Sequence, residues 1–303
     1  MSSRLTENPS TEHLFEYRSM EKRKLIVSLC ITSVVMILEL TGGFFTNSIA
    51  LMSDAGHMFT HCFAIGISLI AILIARKPPC HHRTFGLYRA EILAAFVNGL
   101  FLLFVVGVIL LEAVQRIMSP KEILALHMLL IALIGLAVNV TSILILRGSH
   151  REDLNVRSVF YHMLGDAASS VGIVAAALII SYSGWYIIDP LVSVAISGLI
   201  LYWAFKILKE STRILLEMAP AGLDIDTISG DVKTRFPEVE GLSNVHLWTI
   251  TPHMLVFSAH IQLRTPHGKE FDQDSLLSRI HAHLVDKYGV RESTIQVTSL
   301  DEA

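Results

Sequence analysis

The sequence contains few charged residues. Lys, Arg, Asp and Glu together make up only 17% of its 303 residues, and the mean hydropathy is +0.55. An ordinary soluble protein carries about 25% charged residues, so most of this chain is expected to lie in lipid. The net charge of −3 is near neutral and gives no reason to expect a nucleic-acid partner.

Cysteine and several catalytic motifs are also scarce or absent. The three cysteines form no CxxC pair, so neither a disulfide framework nor a zinc ribbon is indicated. Without a GxxxxGK[ST] phosphate loop, ATP is not the expected energy source, and without HExxH an intramembrane zinc protease of that motif is excluded. Residues 1–19 lack a signal-peptide layout, so we expect the first apolar segment to be retained.

Six apolar runs are long enough, at roughly 20 residues each, to cross a membrane as helices. The runs are 25–45, 49–75, 92–113, 124–146, 159–181 and 187–208. Lys and Arg concentrate before span 1, between spans 2 and 3, between spans 4 and 5, and after span 6, whereas the opposite loops hold only Arg116 and Lys121. By the positive-inside rule both termini are cytoplasmic. We therefore predict a cytoplasmic segment at 1–24, a transmembrane domain at 25–210 and a cytoplasmic domain at 211–303.

The pattern after Pro220 is that of a small α+β domain. It predicts a helix capped by Asp226, two strands, an amphipathic helix and a last strand, in the order α-β-β-α-β. These elements fall at 226–236, 241–251, 255–264, 272–288 and 293–300. Such a domain buries a modest core and leaves sheet edges open, which favours pairing with a second copy.

Metal-binding side chains occur within the apolar runs themselves. His57 and His61 lie four residues apart in span 2, and His162 and Asp166 repeat that spacing in span 5. Each pair points from one helical face, and the helical rise places both pairs near the middle of the membrane. An ionisable group costs roughly 2.5 kcal/mol or more there. Three imidazoles and a carboxylate are a ligand set that zinc favours, so we expect the chain to carry a divalent metal ion across a membrane.

The same residue types indicate a driving force. Imidazole binds metal only when neutral, and its unperturbed pKa of about 6.5 is close to cellular pH, so metal entry should expel protons. The hypothesis becomes proton-coupled antiport by alternating access. Asp54, one turn before His57, could support a ligand, relay protons or simply pack, and Glu39 within span 1 is equally open between helix packing and transport.

Two further groups of metal-binding side chains are predicted outside the membrane. Cys80, His81 and His82 offer a thiolate and two imidazoles in the loop after span 2, although two prolines also make this loop an ordinary stiff turn. In the last domain the candidates lie on neighbouring strands and the adjacent helix. Two interpretations of them stay equally open, a metal site and ordinary surface histidines. They are His246, His260, Asp274, His281 and His283.

Several motifs in fixed order extend over nearly the whole chain, from about 25 to 298. They are LELTGG at 38–43, SIALMSDAGH at 48–57, FGLYRAE at 85–91, HMLGD at 162–166, DP at 189–190 and VHLW at 245–248. With these motifs the chain resembles the cation diffusion facilitator family, of the zinc-transporter type. The resemblance implies a homodimer of six-helix subunits with metallochaperone-like αββαβ tails. It also implies export of zinc or a similar divalent transition metal from the cytoplasm in exchange for protons, with no organic cofactor. The lack of targeting signals and the compact loops fit a bacterial inner membrane better than an organelle.

The resemblance assigns the transport site to His57, His61, His162 and Asp166, with one departure. Zinc-type members usually have Asp where this chain has His61, so the site holds one negative charge fewer, which should disfavour Mn²⁺ and Mg²⁺ most. The family's cytoplasmic metal site falls on His246, His260 and the vicinity of Asp274, and its ligand on the last strand is replaced by Thr298.

Two other function classes were weighed. A di-iron membrane oxidoreductase also uses HxxxH boxes, but it needs about eight histidines at the membrane edge, whereas the single HxxxH here lies deep in span 2. A metal-sensing membrane protein with the same fold would bind metal without moving it.

Overall fold

The structure is a computed structural model that describes residues 30–75, 77, 80–146, 154–251, 254–264 and 272–298; the side chains of 145–146 and 154–163 lie outside the described part. Its contacts group the chain into two units. The first comprises the described parts of Met1–Ile65 and Leu100–Ala204, and the second those of Gly66–Gly99 and Phe205–Ala303.

Apolar helices dominate the chain as far as residue 215. They are α1 (Cys30–Thr46), α2 (Ile49–Ala75), α3 (Arg89–Met118), α4 (Ala125–Leu146), α5 (Leu154–Ser183) and α6 (Ile188–Leu215). Helices α2 to α6 are long and apolar enough to cross a membrane, which defines an integral membrane protein. The described part of α1 is shorter, because residues 25–29 of the predicted first span lie outside the described residues.

Helices α3, α5 and α6 extend beyond the predicted spans, whereas α2 coincides with its span. Helix α3 runs three residues earlier and five residues later than the predicted 92–113, and α6 continues to Leu215 rather than to 208. The reason is that a span is counted from the apolar residues in hydrocarbon, whereas helical hydrogen bonding continues where the chain leaves the lipid.

The start of α2, the helix that carries His57 and His61, is held by Asp189 at the start of α6. The Asp189 carboxylate accepts hydrogen bonds from Ser48 Oγ at 2.5 Å, from the Ile49 amide at 2.7 Å and from the Ala50 amide at 3.2 Å. It therefore satisfies amides at the amino terminus of α2, which have no partner within their own helix. This contact fixes the start of α2 against the start of α6.

The short turn between α1 and α2 is tied to two further helices. Asn47 adopts a left-handed backbone conformation with φ 60°, and its carbonyl accepts a hydrogen bond from Arg116 Nη1 of α3 at 2.9 Å. The Leu124 amide, just before α4, donates to the Thr46 carbonyl at 3.1 Å. Four helix ends thus meet at this turn, and their main-chain polar groups find partners there.

The second unit contains the predicted α-β-β-α-β domain. Its elements are α7 (Ile225–Arg235), β1 (Val239–Thr251), β2 (Met254–Leu263), α8 (Gln273–Tyr288) and β3 (Val290–Thr298). The sheet order is β1-β2-β3, with β1 antiparallel and β3 parallel to the central β2. The order of elements agrees with the prediction, while β3 begins three residues earlier than expected.

One apolar core joins both helices of this domain to the sheet. Its fully buried members include Ile228 and Val232 of α7, Phe257 of β2, and Ile280 and Leu284 of α8. Burying a side chain of this size contributes about 1.5–3 kcal/mol, so this core is the main source of stability for the domain.

The helix caps of the domain differ in part from the prediction. Helix α8 is capped by Asp272, whose side chain accepts from the Ser275 amide at 3.1 Å, and it ends at Gly289 in a left-handed conformation. The predicted cap of α7 was wrong, because Asp226 lies within its first turn and Asp224 occupies the cap position without a side-chain cap bond. Two aspartates two residues apart give the same local signal, so the sequence does not distinguish them.

Candidate metal centre

The first pair of predicted ligands meets on α2. His57 and His61 follow each other by one helical turn, and their Nε2 atoms lie 3.1 Å apart. The two rings are nearly perpendicular, with centroids 4.4 Å apart. This geometry aims one nitrogen of each imidazole at a common point beside the helix.

Asp166 of α5 faces the same point. Its Oδ1 lies 3.4 Å from His57 Nε2, and ligand atoms of His57, His61 and Asp166 all lie within 4.8 Å of one another. Among the described residues this is the one group of three or more His, Cys, Asp or Glu side chains that converges in this way. Asp166 is buried and the two histidines are half-buried, so the group lies inside the helical bundle.

The separations agree with tetrahedral coordination of a small ion. With zinc-to-nitrogen and zinc-to-oxygen bonds of about 2.0 Å, tetrahedral angles place neighbouring ligand atoms about 3.3 Å apart. The two short separations here are 3.1 and 3.4 Å. A hydrogen bond between the two imidazoles would explain the first distance, but it does not bring in the carboxylate of another helix. Two of the three separations thus match tetrahedral geometry and the third is no longer than 4.8 Å, so the group could hold a metal ion.

The fourth predicted ligand, His162, lies outside the residues whose side chains are described. Its backbone is helical and belongs to α5, one turn before Asp166. The sequence spacing of four therefore still places it on the same helical face as Asp166.

Asp54, one turn before His57, is fully buried and is bound by hydroxyl groups of α5. Ser169 Oγ lies 2.7 Å from Asp54 Oδ1, and Ser170 Oγ lies 3.4 Å from Asp54 Oδ2. The same hydroxyls lie 2.8 and 3.0 Å from the Asp166 carbonyl oxygen. Asp54 therefore connects α2 to α5 beside the three ligands. The two serines were not singled out from the sequence, although hydroxyl groups in an apolar span need such partners.

A small cavity opens beside the group. It has a volume of about 40 Å³ and is lined by His57 and Asp166 together with residues of α6, among them Ile200 and Trp203. About 10–15 Å³ of such space is enough for one water molecule, so the cavity has room for at least one. An ion can keep part of its hydration while it contacts the site.

The loop candidates form a tight turn on the second unit. The Cys80 and Arg83 main chains exchange hydrogen bonds of 3.2 and 2.8 Å, and Cys80, His81 and His82 are all exposed. A hydrogen bond from the His82 backbone, with the Arg83 side chain nearby, lowers the pKa of the Cys80 thiol. The three side chains do not form a converging ligand group within the part of the chain that the structure describes.

The candidates in the last domain are also distributed over separate contacts. His246 pairs with Ser258 and His260 with Ser243 in the β1–β2 register, so the two histidines lie on neighbouring strands but not opposite each other. His281 Nδ1 lies 2.7 Å from Ser293 Oγ, and Asp274 is exposed in the first turn of α8. Thr298, where the family's last-strand ligand is expected, donates to the Ile261 carbonyl at 3.4 Å.

His283 takes part in a clamp between α7 and α8. Its Nε2 lies 2.7 Å from Asp231, which also accepts from Lys287 at 2.6 Å and Tyr288 at 2.9 Å. Hydrogen bonds from Lys287 and then His283 hold the pKa of Asp231 well below its usual range. His283 thus contacts an acid of the facing helix, and sequence reasoning missed Asp231 because its partners lie more than 50 residues away.

The fold and the site together define a polytopic membrane protein that gathers imidazole and carboxylate side chains between its helices. Comparison with known families agrees with this description, because a model of the cation efflux transmembrane domain matches residues 25–216. The chain belongs to this cation efflux family.

Three relatives illustrate the similarity. The chain is 39% identical over 276 residues to a protein of Pectobacterium atrosepticum named zinc transporter ZitB, covering 91% of this chain and 85% of the relative. It is 36% identical over 281 residues to a Bacillus velezensis protein named cadmium, cobalt and zinc/H(+)-K(+) antiporter, with 91% and 88% covered. It is 34% identical over 284 residues to the metal cation efflux system protein CzcD of Cupriavidus metallidurans, with 94% and 89% covered.

Proposed function

We propose that this chain is an antiporter that exports a divalent transition-metal cation, zinc foremost, from the cytoplasm in exchange for protons by alternating access. The observation that carries the proposal is the convergence of His57, His61 and Asp166 within 4.8 Å inside a bundle of apolar helices. His162 is the fourth ligand in this proposal, because its position on α5 follows the same spacing.

The ligand types support both the cargo and the coupling. Two or three imidazoles with one carboxylate suit zinc and other metals that accept nitrogen ligands, and they suit the carboxylate-preferring Mn²⁺ and Mg²⁺ less. Imidazole must lose its proton to bind metal, so cargo and protons compete for the same nitrogens. Two of the relatives support this assignment by their names, one as a zinc transporter and one as a cadmium, cobalt and zinc/H(+)-K(+) antiporter.

The topology and assembly belong to the same proposal. Residues 25–210 form the membrane domain, 211–303 the cytoplasmic domain, and both termini face the cytoplasm because the basic loops do. The relatives come from bacteria, which supports the bacterial inner membrane as the location. Among the described residues no strand pairs with the outer edges of β1 and β3, and this supports a homodimer, because open sheet edges favour association.

The loop group at Cys80, His81 and His82 and the group on the cytoplasmic domain stay predictions as accessory metal sites. Their side chains are exposed or half-buried, and a second copy or a loop movement would be needed to complete either set. Removing them should leave the intramembrane site able to bind metal.

The test is metal flux into proteoliposomes with an imposed pH gradient. The native chain should accumulate Zn²⁺ faster when the gradient favours exchange, and His57→Ala should lose most of this flux. The matched control is His127→Ala, since His127 is an exposed helical histidine of α4 outside the site. Metal binding without flux in the native chain would indicate a sensor and contradict the proposal, as would flux indifferent to the pH gradient.

A further inference from the structure

A carboxyl group in α1 is buried beside a second carboxyl group, with no amide, hydroxyl or cationic partner among the described residues. Glu39 is only 1% exposed, and the group within hydrogen-bonding reach of its side chain is the carboxyl of Asp54. Glu39 packs against Gly135 of α4, where even a Cβ would collide with the carboxylate. Because glycine has no side chain, Gly135 leaves room for the Glu39 carboxyl group.

The groups around Glu39 make its burial more costly. Asp54 of α2 lies beside it, and the titratable groups that act on it are Asp54 and Asp166 of α5, both acidic, while α4 presents Gly135. Among the described residues neither Glu39 nor Asp54 forms an ion pair with Lys or Arg, and the basic group that acts on Asp54 is His57, which belongs to the cargo site. An uncompensated carboxylate in an apolar interior is strongly unfavourable, and a second carboxylate beside it adds repulsion. The pair needs a cation.

The side chains around Glu39 and Asp54 determine which kind of cation they favour. Glu39 and Asp54 supply carboxylate oxygens, Ser169 and Ser170 supply hydroxyls to Asp54, and Asn139 Nδ2 donates to Ser170 Oγ at 3.0 Å. No nitrogen or sulfur ligand is contributed by this group. Oxygen-only donors favour protons and hard cations over zinc, which prefers the imidazole group one turn away.

We propose that Glu39, with Asp54 beside it, forms the binding site of the monovalent counter-cation, a proton or K⁺, separate from the site of the metal cargo. This inference rests on the proposed antiport function and names the site of its second ion. The relative named as a cadmium, cobalt and zinc/H(+)-K(+) antiporter supports both ions as occupants to be distinguished.

The two sites are joined by one hydroxyl group. Ser169 Oγ has a single proton and two acceptors, Asp54 Oδ1 at 2.7 Å and the Asp166 carbonyl at 2.8 Å. A cation on Asp54 weakens it as an acceptor, so the hydroxyl turns to the carbonyl of α5. Occupancy of the counter-cation site thereby changes the contact between α2 and α5, the helices that carry the cargo ligands.

The test combines two gradients with a zinc-binding measurement on the full chain. Zinc uptake into proteoliposomes is measured with and without a pH gradient, and with and without a K⁺ gradient at clamped membrane potential. In Glu39→Gln the zinc uptake rate with the gradient, divided by the rate without it, should fall to about one. A site that no longer binds the counter-cation cannot respond to the gradient of that ion. Glu39→Asp should keep the response, and Glu112→Gln is the control, since Glu112 is exposed at the end of α3 and pairs with Arg116.

The outcomes separate the possible roles of Glu39. Loss of the response to the pH gradient alone assigns a proton to the site, and loss of the response to the K⁺ gradient alone assigns K⁺. In either case competition with a chelator should give a zinc affinity within about threefold of the native value, because Glu39 is not a cargo ligand. An unchanged response, or a zinc affinity that falls together with the rates, would overturn the proposal and leave Glu39 as a packing residue. A native chain that moves no zinc would instead refute the proposed function itself.

Discussion

Replacing Asp189 by Ala removes the carboxylate that holds the start of α2. Ser48 Oγ and the amides of Ile49 and Ala50 lose their acceptor, and all three residues are 0–2% exposed, so water does not readily replace it. We expect the variant to be less stable and its α2 ligands to be less well positioned.

The magnitude follows from the number and type of the lost bonds. A hydrogen bond to a charged group contributes about 1.5–3 kcal/mol in proteins, whereas side-chain bonds between membrane helices average about 0.6 kcal/mol. Asp189→Ala leaves three buried donors without a partner, so we expect a loss of about 3 kcal/mol, roughly a hundredfold in the folding equilibrium. Ser48→Ala removes one donor to Asp189 and also the acceptor of the Leu51 amide at 3.2 Å, but it keeps the carboxylate and its two amide bonds, so about 1–2 kcal/mol is expected.

Thermal unfolding of the purified protein in detergent measures both changes. The order of melting temperatures should be native, then Ser48→Ala, then Asp189→Asn, with Asp189→Ala lowest. The amide of Asn keeps one acceptor but turns an NH₂ group toward amide donors, which explains its intermediate place. If Asp189→Ala melts within about 2 °C of the native chain, the reasoning is refuted, since a 3 kcal/mol loss should shift the midpoint by several times that amount.

Two other predictions concern charge. His61→Asp restores a second carboxylate to the site and should raise the ratio of Mn²⁺ to Zn²⁺ flux about tenfold, the equivalent of 1.4 kcal/mol; an unchanged metal preference would discredit the charge argument. Asp231→Asn should reduce the acid sensitivity of the cytoplasmic domain. Lys287 and His283 lower the pKa of Asp231 on folding. The ionised carboxylate therefore stabilises the fold at a pH above its unfolded pKa, and this stabilisation is lost as the pH falls through the lower folded pKa. Circular dichroism of the full chain between pH 6 and 2 checks this, with the exposed Asp226→Asn as control, and an unchanged acid transition in Asp231→Asn would contradict it.

Hydropathy and residue spacing predicted much of this protein. Runs of about 20 apolar residues identify membrane helices because lipid leaves a helix few alternatives. The spacing of four brought His57 and His61 together on α2, and the order of elements in the last domain was confirmed. The predicted family membership was confirmed by the match to residues 25–216.

Local sequence patterns could not predict which residues far apart in the chain contact each other. The parallel pairing of β3 with β2 depends on the register between Val290 and Leu255, which no alternation within either strand specifies. Asp189 reads locally as an acidic residue in the first turn of a helix, yet its side chain bonds to Ser48, Ile49 and Ala50, about 140 residues earlier. His283 stays a predicted metal ligand, but its contact with Asp231, 52 residues earlier, could not be read from the sequence.

The sequence likewise left two intramembrane acids undecided between packing and transport. For Asp54 the structure supplies partners, the hydroxyls of Ser169 and Ser170. Glu39 packs in the space that Gly135 leaves, and no N–H or hydroxyl group of the described residues donates to it. Such differences depend on the facing helix, which is why the residue type alone did not separate them.

The location of the cargo is tested most directly by X-ray absorption at the zinc edge, on the full chain loaded with one equivalent of Zn²⁺. The account predicts nitrogen and oxygen ligands at about 2.0 Å with the scattering pattern of two or three imidazoles, and the loss of one imidazole in His61→Ala but none in His127→Ala. A spectrum with sulfur ligands, or one that His57→Ala and His61→Ala leave unchanged, would contradict a metal site between α2 and α5.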